Sequence, residues 1–368
     1  MRKIILLFAV GLLALASVLV FRTLQNGPAA SSAPVRVPVE MIQVDAAQTA
    51  AHLSQAIRFK TISTQDRSQF DPAVFTAFQQ WMAVSYPDFY AAVTTQTVLG
   101  STQLNTWTGS NPALDPVVFL AHQDVVPADS SKNSGWEKPP FAGVIEDGFI
   151  WGRGAIDDKG SLIALLEAAN VLAASGYQPE RSILFAFGHD EEVGGSGAQS
   201  VAALLKSQNI HPWAVIDEGG AITTNMPDVA APVARIGVAE KGYLTLILTA
   251  RAKGGHSSTP PKITALGELS RAIAAVEAHP FEQKLDKVTR AMLRVTASAD
   301  EIGFFKRLVV SNLWLFGGVV EAQMKQSNSG AAMLGTTIAP TIVHAGTKEN
   351  ALPREAQAYI NFRLASRD

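Results

Sequence analysis

The sequence predicts an α/β protein: a mostly parallel sheet with helices on both faces, followed by a second, smaller α/β domain. Three observations predict this. Short β-branched and aromatic runs, Val117–Ala121, Ser182–Phe187 and Trp213–Ile216, alternate with helical patterns at Leu162–Ala174 and Ala198–Ser207, as parallel strands joined by helices do. Acidic or histidine-containing motifs stand just after the strands: His122 after Ala121, Glu191 after the run ending at Phe187, and Asp217 after Ile216. Ligands of open α/β sheets bind outside the carboxyl ends of the strands, so these motifs are expected to converge on one edge. From about Lys241 the pattern starts afresh, with a strand at Tyr243–Ala250, a helix over Ile263–Ala278 and an alternating strand at Ala356–Leu364.

Length and composition agree with two packed domains. Of 368 residues, 47% are hydrophobic and 17% charged, which argues for buried cores rather than disorder. A formal net charge of −2, a pI near 6.4 and the lack of any Lys/Arg-rich run argue against a nucleic-acid partner. Cysteine is absent, which is compatible with export.

At the N-terminus, Ile4–Phe21 is an unbroken run of apolar or small residues, preceded by Arg2 and Lys3 and closed by Arg22. At about 1.5 Å per residue it nearly crosses a hydrocarbon core of ~30 Å, so residues 1–24 read as a membrane anchor or an export signal. The run is long for a signal peptide and no clear Ala-x-Ala spacing closes it, which favours the uncleaved anchor. The positive residues before it keep the N-terminus in the cytoplasm and send the rest across, anchored on the far side, or periplasmic or secreted after cleavage. Gln25–Pro38 is rich in Ala, Ser and Pro without an apolar period, so residues 25–43 are assigned to a linker. Apolar residues at helical spacing then predict helices at Val44–Phe59 and Ala73–Val84. Residues 44–240 are assigned to the first domain and 241–368 to the second; Arg290–Gly335 is apolar but poorly patterned, and its elements stay open.

The motifs have the make-up of a two-metal site, which needs imidazole and carboxylate ligands from separate loops and one carboxylate left to handle a proton. In His122-Gln-Asp124, residues i and i+2 of an extended segment face one side, so His122 is a candidate ligand and Asp124 the acceptor for its other ring nitrogen. Gly152-Arg-Gly-Ala-Ile-Asp157-Asp158-Lys-Gly160 crowds two carboxylates before a helix, a charge that a cation would relieve. Asp157 is the candidate bridge between two metals, with a helix-capping acid as the alternative. Glu191 and Glu192 are adjacent and point apart, so Glu192 is assigned to the metal and Glu191 to the proton of an attacking water. Asp217-Glu218-Gly-Gly ends a buried strand, where an unpartnered acid is costly; Asp217 would bind the second metal, with Glu218 as its substitute. Beyond His256 only His279 and His344 remain, neither in a ligand context.

Together, Ala121-His-Gln-Asp-Val-Val-Pro127, the Gly152–Gly160 string, His189-Asp-Glu-Glu-Val-Gly-Gly195, Asp217-Glu-Gly-Gly220 and Gly254-Gly-His-Ser-Ser258 resemble the zinc peptidase family of carboxypeptidase S, glutamate carboxypeptidase and aminoacylase. The similarity runs from about Val44 to the C-terminus. It implies a catalytic α/β domain holding two zinc ions, or another divalent metal such as Co2+ or Mn2+, and an inserted lid domain through which homodimers form. It implies the same roles: His122, Asp157, Glu192 and Asp217 as ligands, Glu191 as general base, Asp124 as orienter of His122, and often a cis peptide between Asp157 and Asp158. It further implies that His256 stabilises an oxyanion, in dimeric relatives reaching into the partner subunit's site. Asn350-Ala-Leu-Pro353 and Asn361-Phe-Arg363 resemble lid segments that grip a substrate's free carboxylate, a task that suits an amide donor and a guanidinium fork. Asn350 and Arg363 are therefore the candidate clamp, the alternative for Arg363 being a strand residue paired with a surface acid.

The activity these features lead one to expect is hydrolysis of the amide bond of small peptides or N-acyl amino acids with a free C-terminal carboxylate. The family supplies a final histidine ligand after its lid, whereas this sequence stops at Asp368, just after the clamp strand. A truncated version lacking the last part of the catalytic domain is the corresponding expectation. The alternative is a non-catalytic descendant that binds peptides or partners through the lid.

Overall fold

The computed structural model describes residues 2–26, 41–131, 135–224, 232–299 and 302–365. The chain divides into two compact units, Pro38–Gly219, and Met1–Val37 with Gly220–Asp368. The expected linker falls mostly on residues 27–40, outside the described residues. α1 (Arg2–Gln25) is the apolar N-terminal segment, a helix with a mean hydropathy of 3.0 in its central window and no protein covering that window.

The unit Pro38–Gly219 contains α2 (Ala46–Arg58), α3 (Pro72–Ser85), α4 (Pro87–Ala92), β1 (Thr94–Thr97), β2 (Gln103–Trp107), β3 (Val117–His122), β4 (Val144–Glu146), β5 (Phe149–Trp151), α5 (Lys159–Ala174), β6 (Ile183–Gly188), α6 (Ser196–Ser207) and β7 (Ala214–Ile216). The two opening helices start on side-chain caps. Asp45 accepts from the backbone N–H groups of Ala47 and Gln48, and Asp71 from that of Ala73, with Pro72 in the first helical turn where its missing N–H costs nothing.

The sheet has the order β1-β2-β6-β3-β7. β3 runs parallel to both β6 and β7, with Ala121 opposite Phe187 and His122 opposite Gly188. β1 and β2 extend it as an antiparallel flank, so the sheet is mixed overall and parallel in the three strands that carry the motifs. Side chains of β6 alternate between the faces. Phe185 and Phe187 pack with Phe78 and Met82 of α3, Phe89 of α4 and Leu162 and Leu166 of α5, while Leu184 and Ala186 pack with Val201 and Leu205 of α6. Each fully buried side chain of this size stabilises by about 1.5–3 kcal/mol, so helices on both faces hold the sheet rigid beneath its carboxyl edge.

The other unit contains, besides α1, β8 (Ala221–Thr223), β9 (Val233–Arg235), β10 (Gly242–Arg251), β11 (Gly255–His256), α7 (Ala265–Glu277), α8 (Lys287–Ala297), α9 (Phe304–Ser311), α10 (Leu313–Met324), α11 (Asn328–Ala332), β12 (Thr337–Ala345), β13 (Ala351–Leu352) and β14 (Glu355–Leu364). β14 lies between β10 and β12 in an antiparallel sheet. α7 covers one face, its Ala265 and Leu269 meeting Ala250, Ala356 and Ala358. The stretch left open from the sequence is helical, and α8 to α11 lie within or beside it, with a small core at Leu285, Leu313 and Leu334. β8 and β9 pair with each other, and the break between the units falls at Gly219/Gly220, ahead of the expected boundary after residue 240.

Candidate active site

Because β3 is parallel to both its neighbours, the carboxyl ends of β6, β3 and β7 lie side by side. The turns leaving them bring Glu191, His122 and Asp217 into the lining of one small cleft. The start of α5 approaches the same place: Asp158, which is buried, accepts the backbone N–H of His122 at 3.1 Å. The peptide bond between Asp157 and Asp158 is cis.

His122 is buried at the end of β3. Its Nδ1 lies 2.9 Å from the backbone oxygen of Asp124 and 3.2 Å from that residue's Oδ1. A carbonyl oxygen only accepts, so Nδ1 carries a proton. In the neutral ring this leaves the Nε2 lone pair facing Asp157 Oδ1 at 3.0 Å and Glu218 Oε1 at 3.8 Å. Lone pairs of one imidazole and two carboxylates turned towards each other need a proton or a cation between them. The ligand atoms of His122, Asp157 and Glu218 all lie within 4.8 Å of one another.

The electrostatics follow from this crowding. Burial opposes the imidazolium of His122, but the hydrogen bond and charge of Asp124, with the charges of Asp158 and Glu218, push its pKa up to about 10. Glu218 is pushed up to about 7, first by burial and then by the charge of Asp158. Burial also raises Glu191 and Glu192, helped for Glu191 by Asp124 and for Glu192 by Asp157. Asp124 is the exception: burial works to raise it, yet its hydrogen bonds from His122 and Ser63 hold it below the usual carboxylate range.

Asp124 and Asp190 shape the turn that follows β6. The Asp124 carboxylate accepts Ser63 Oγ at 2.5 Å and the backbone N–H groups of Glu191 and Glu192 at 3.1 and 3.2 Å. Asp190 accepts the N–H groups of Ser196 and Gly197 at the start of α6, and Arg67 Nη1 at 3.1 Å. Gly194 and Gly195, with φ of 118° and 61°, close the turn in conformations that a side chain would strain, which accounts for the paired glycines after Val193.

The other expected site residues fall as follows. Asp217 accepts the N–H of Glu218, and the carboxylate nearer to His122 Nε2 is that of Glu218. Glu192 sits in the turn held by Asp124, and its side chain is outside the His122–Asp157–Glu218 group. In the other unit, β11 pairs with β13, and Ser257 N–H donates to Asn350 O, so His256 and Asn350 lie close together. Ser258 N–H donates to His256 Nδ1 at 3.2 Å, which places the ring proton of a neutral His256 on Nε2. Arg363 lies over the ring of Tyr243, its partner across the sheet, 4.9 Å from the centroid, and pairs with no acid among the described residues.

Sequence reading passed over Ser63, and it gave Asp158 and Gln123, though both lie in the motifs, no role of their own. Gln123 Nε2 donates to Ser101 O and Phe187 O, tying β3 to β6 beneath the site. No local pattern marks Ser63, which reaches Asp124 through an isolated bridge between Ile62 and Val125.

A histidine held by one carboxylate and facing two others at the carboxyl edge of an α/β sheet is a group of side chains that could hold a metal ion. Residues 118–333 match Peptidase family M20/M25/M40, and the chain belongs to that family. It is 36% identical to "Probable carboxypeptidase S-like 2" of Dictyostelium discoideum over 87% of this chain and 62% of the relative. It is 36% identical to the Homo sapiens "N-fatty-acyl-amino acid synthase/hydrolase PM20D1" over 89% of this chain and 65% of the relative. With "Carboxypeptidase S" of Saccharomyces cerevisiae the identity is 33%, over 85% and 57%. The chain thus spans 57–65% of the length of these relatives. Among solved structures, the M20 family metallo-carboxypeptidase Sso-CP2 from Sulfolobus solfataricus shares the fold with a TM-score of 0.59 at 17% identity, covering 87% of this chain and 72% of that one.

Proposed function

We propose that the chain is a metal-dependent hydrolase that cleaves the amide bond of small peptides or N-acyl amino acids bearing a free C-terminal carboxylate. The observation that carries this reading is the commitment of His122 Nδ1 to Asp124 while Nε2 faces the carboxylates of Asp157 and Glu218. One imidazole nitrogen with carboxylate oxygens is a donor set suited to zinc and similar divalent ions. In this reading His122, Asp157, Glu192 and Asp217 would hold a pair of zinc ions, with Glu218 joining or replacing Asp217. Bound there, the metal would supply Lewis-acid polarisation of the amide carbonyl and would make water more acidic.

The remaining work belongs to side chains. Asp124 keeps the proton of His122 on Nδ1, so that Nε2 stays a ligand. Glu191 takes a proton from the attacking water and passes it to the leaving nitrogen. His256 donates from Nε2 to the oxygen that gains charge, and Asn350 and Arg363 hold the substrate carboxylate in one orientation. The names of the relatives support both sides of the substrate class, carboxypeptidases on one and N-fatty-acyl-amino acid hydrolases on the other. α1 is read as a membrane anchor that sets the rest outside the cytoplasm, and the unit containing β10 to β14 as a lid through which copies pair.

The test is metal analysis of the purified chain together with hydrolysis of a panel of dipeptides and N-acyl amino acids. Glu191→Gln is expected to keep the metal and lose about 10^2- to 10^4-fold in rate. A near-normal rate in that variant would remove Glu191 as the base, and a chain that takes up no divalent metal would sink the whole reading.

A further inference from the structure

α1 is uncovered along most of its length, but its C-terminal end is not. The side-chain amide of Asn312, at the junction of α9 and α10, donates to Leu19 O at 3.1 Å and lies 3.5 Å from Thr23 Oγ1. Asn312 and Thr23 are both buried by this contact. α9 and α10 are thereby fixed at the end of α1 from which the rest of the chain continues.

These two helices carry an unpartnered apolar surface. Phe305 is 81% exposed, Val319 67% and Trp314 55%, and Phe304 and Leu315 are exposed beside them. The first two turns of α10, from Leu313 to Val320, contain no charged residue. The charges on α8 and α9 are of one sign, Lys287, Arg290 and Arg294 on α8 and Lys306 and Arg307 on α9, while the acids beside them, Asp286 at the cap of α8 and Glu321 on α10, accept the backbone N–H groups of Thr289 and Leu285. Arg307 also donates to Ala297 O and Ala299 O, so α8 and α9 are joined. Aromatic and aliphatic side chains accompanied by lysine and arginine are the make-up of helices that lie in the headgroup layer of a bilayer, with tryptophan at its level.

We propose that the α9–α10 surface lies in the interface of the bilayer that α1 enters, so that this unit rests on the lipid instead of being held off it by a tether. The inference rests on the reading of α1 as a membrane segment. The 24 residues of α1 span about 36 Å, a little more than a hydrocarbon core of ~30 Å, so its last turn emerges at headgroup depth. Asn312 meets α1 over its last two turns, at Leu19 O and Thr23 Oγ1. A lipid surface is favoured over a protein partner because the patch is continuous with an uncovered apolar helix and is flanked by cations, which anionic headgroups attract.

The absence of cysteine makes the test direct, since a single introduced thiol carries the only label. Full-length chains with Phe305→Cys, Val319→Cys, Leu12→Cys in α1, or Ser270→Cys on the exposed side of α7 are given a nitroxide and reconstituted in vesicles of equal parts phosphatidylcholine and phosphatidylglycerol. Collisions with oxygen and with a water-soluble nickel chelate are then measured. The expected result is oxygen in excess of nickel at 12, 305 and 319, and the reverse at 270. Lipid exposure at 12 with nickel access at 305 and 319 overturns the inference and leaves the anchor standing. Low access to both reagents at 305 and 319 means that protein, such as a second copy, covers the patch, and this also overturns it. Nickel access at 12 removes the anchor, and the inference falls with it.

Discussion

Asp124 Oδ1 accepts the backbone N–H of Glu191 at 3.1 Å, and the same oxygen lies 3.2 Å from Nδ1 of His122. One buried carboxylate therefore fixes the ring of the candidate ligand and the turn that carries the candidate base. Asp124→Asn puts an amide nitrogen on one side of the group, facing His122 Nδ1 and Glu191 N–H in place of Oδ1 or Glu192 N–H in place of Oδ2, so the turn loses a hydrogen bond in either orientation and the ring loses one in the first. Metal affinity is expected to fall by about 10- to 100-fold, the usual effect of removing the group behind a metal-bound histidine. Competition with a chromogenic chelator measures it, and unchanged affinity would show that His122 is oriented by the backbone carbonyl alone.

A second expectation concerns stability. In the absence of a cation the carboxylates of Asp157 and Glu218 crowd against each other and His122, whereas a metal that binds only the folded chain stabilises it by mass action. Zinc at roughly 100 times its dissociation constant should add about 2.7 kcal/mol to the unfolding free energy, and chelation should withdraw it. The readout is denaturant unfolding with and without metal. His122→Ala should cut the metal increment, and a variant that keeps all of it would place the ion elsewhere.

His189 gives a pH dependence separate from the ligands. Burial lowers its pKa from 6.5, against the charges of Asp190 and Asp124, and Thr102 Oγ1 meets its Nδ1 at 2.7 Å. The unfolded chain therefore takes up a proton near pH 6.5 that the folded chain refuses. Stability from this group is complete above 6.5 and is lost as the pH falls through the lower folded value. Unfolding free energies measured across this range should fall on acidification, and His189→Gln should show a shallower fall. Equal slopes would mean that His189 titrates normally.

The parallel strands and the helices beside them were legible because their side chains obey simple periods. β6 alternates Leu184 and Ala186 against Phe185 and Phe187, and both sets are buried. β1 and β2 escaped because they are written in polar residues: Thr94 to Thr97 are exposed, and Gln103 and Asn105 are buried polar groups that no alternation rule marks as strand. The convergence of His122, Glu191 and Asp217 on one cleft was legible for a related reason, since parallel strands deliver whatever follows them to one edge. Which of Asp217 and Glu218 turns to His122 was not, because adjacent residues leaving a strand end are sorted by the local turn. α10 was hidden because its first two turns, Leu313 to Val320, are apolar all round and give no amphipathic period, whereas α8 carries Val288, Met292 and Val295 at helical spacing and was readable.

The last prediction bears on the substrate carboxylate. Arg363 lies over Tyr243 with no acidic partner among the described residues, so its guanidinium is pre-oriented and still has donors to offer. Arg363→Lys keeps the charge but loses the planar fork and the stacking, and a hydrogen bond to a charged group contributes about 1.5–3 kcal/mol. Loss of that contact should lower kcat/KM by roughly 10- to 100-fold, mainly through KM, because the carboxylate is held equally in the ground and transition states. The decisive comparison pairs a dipeptide with its C-terminal amide. The unaltered chain should prefer the free acid, and the variant should discriminate far less. If Arg363→Lys keeps the full preference, recognition of the carboxylate lies with another residue, and Arg363 serves only to brace the sheet through Tyr243.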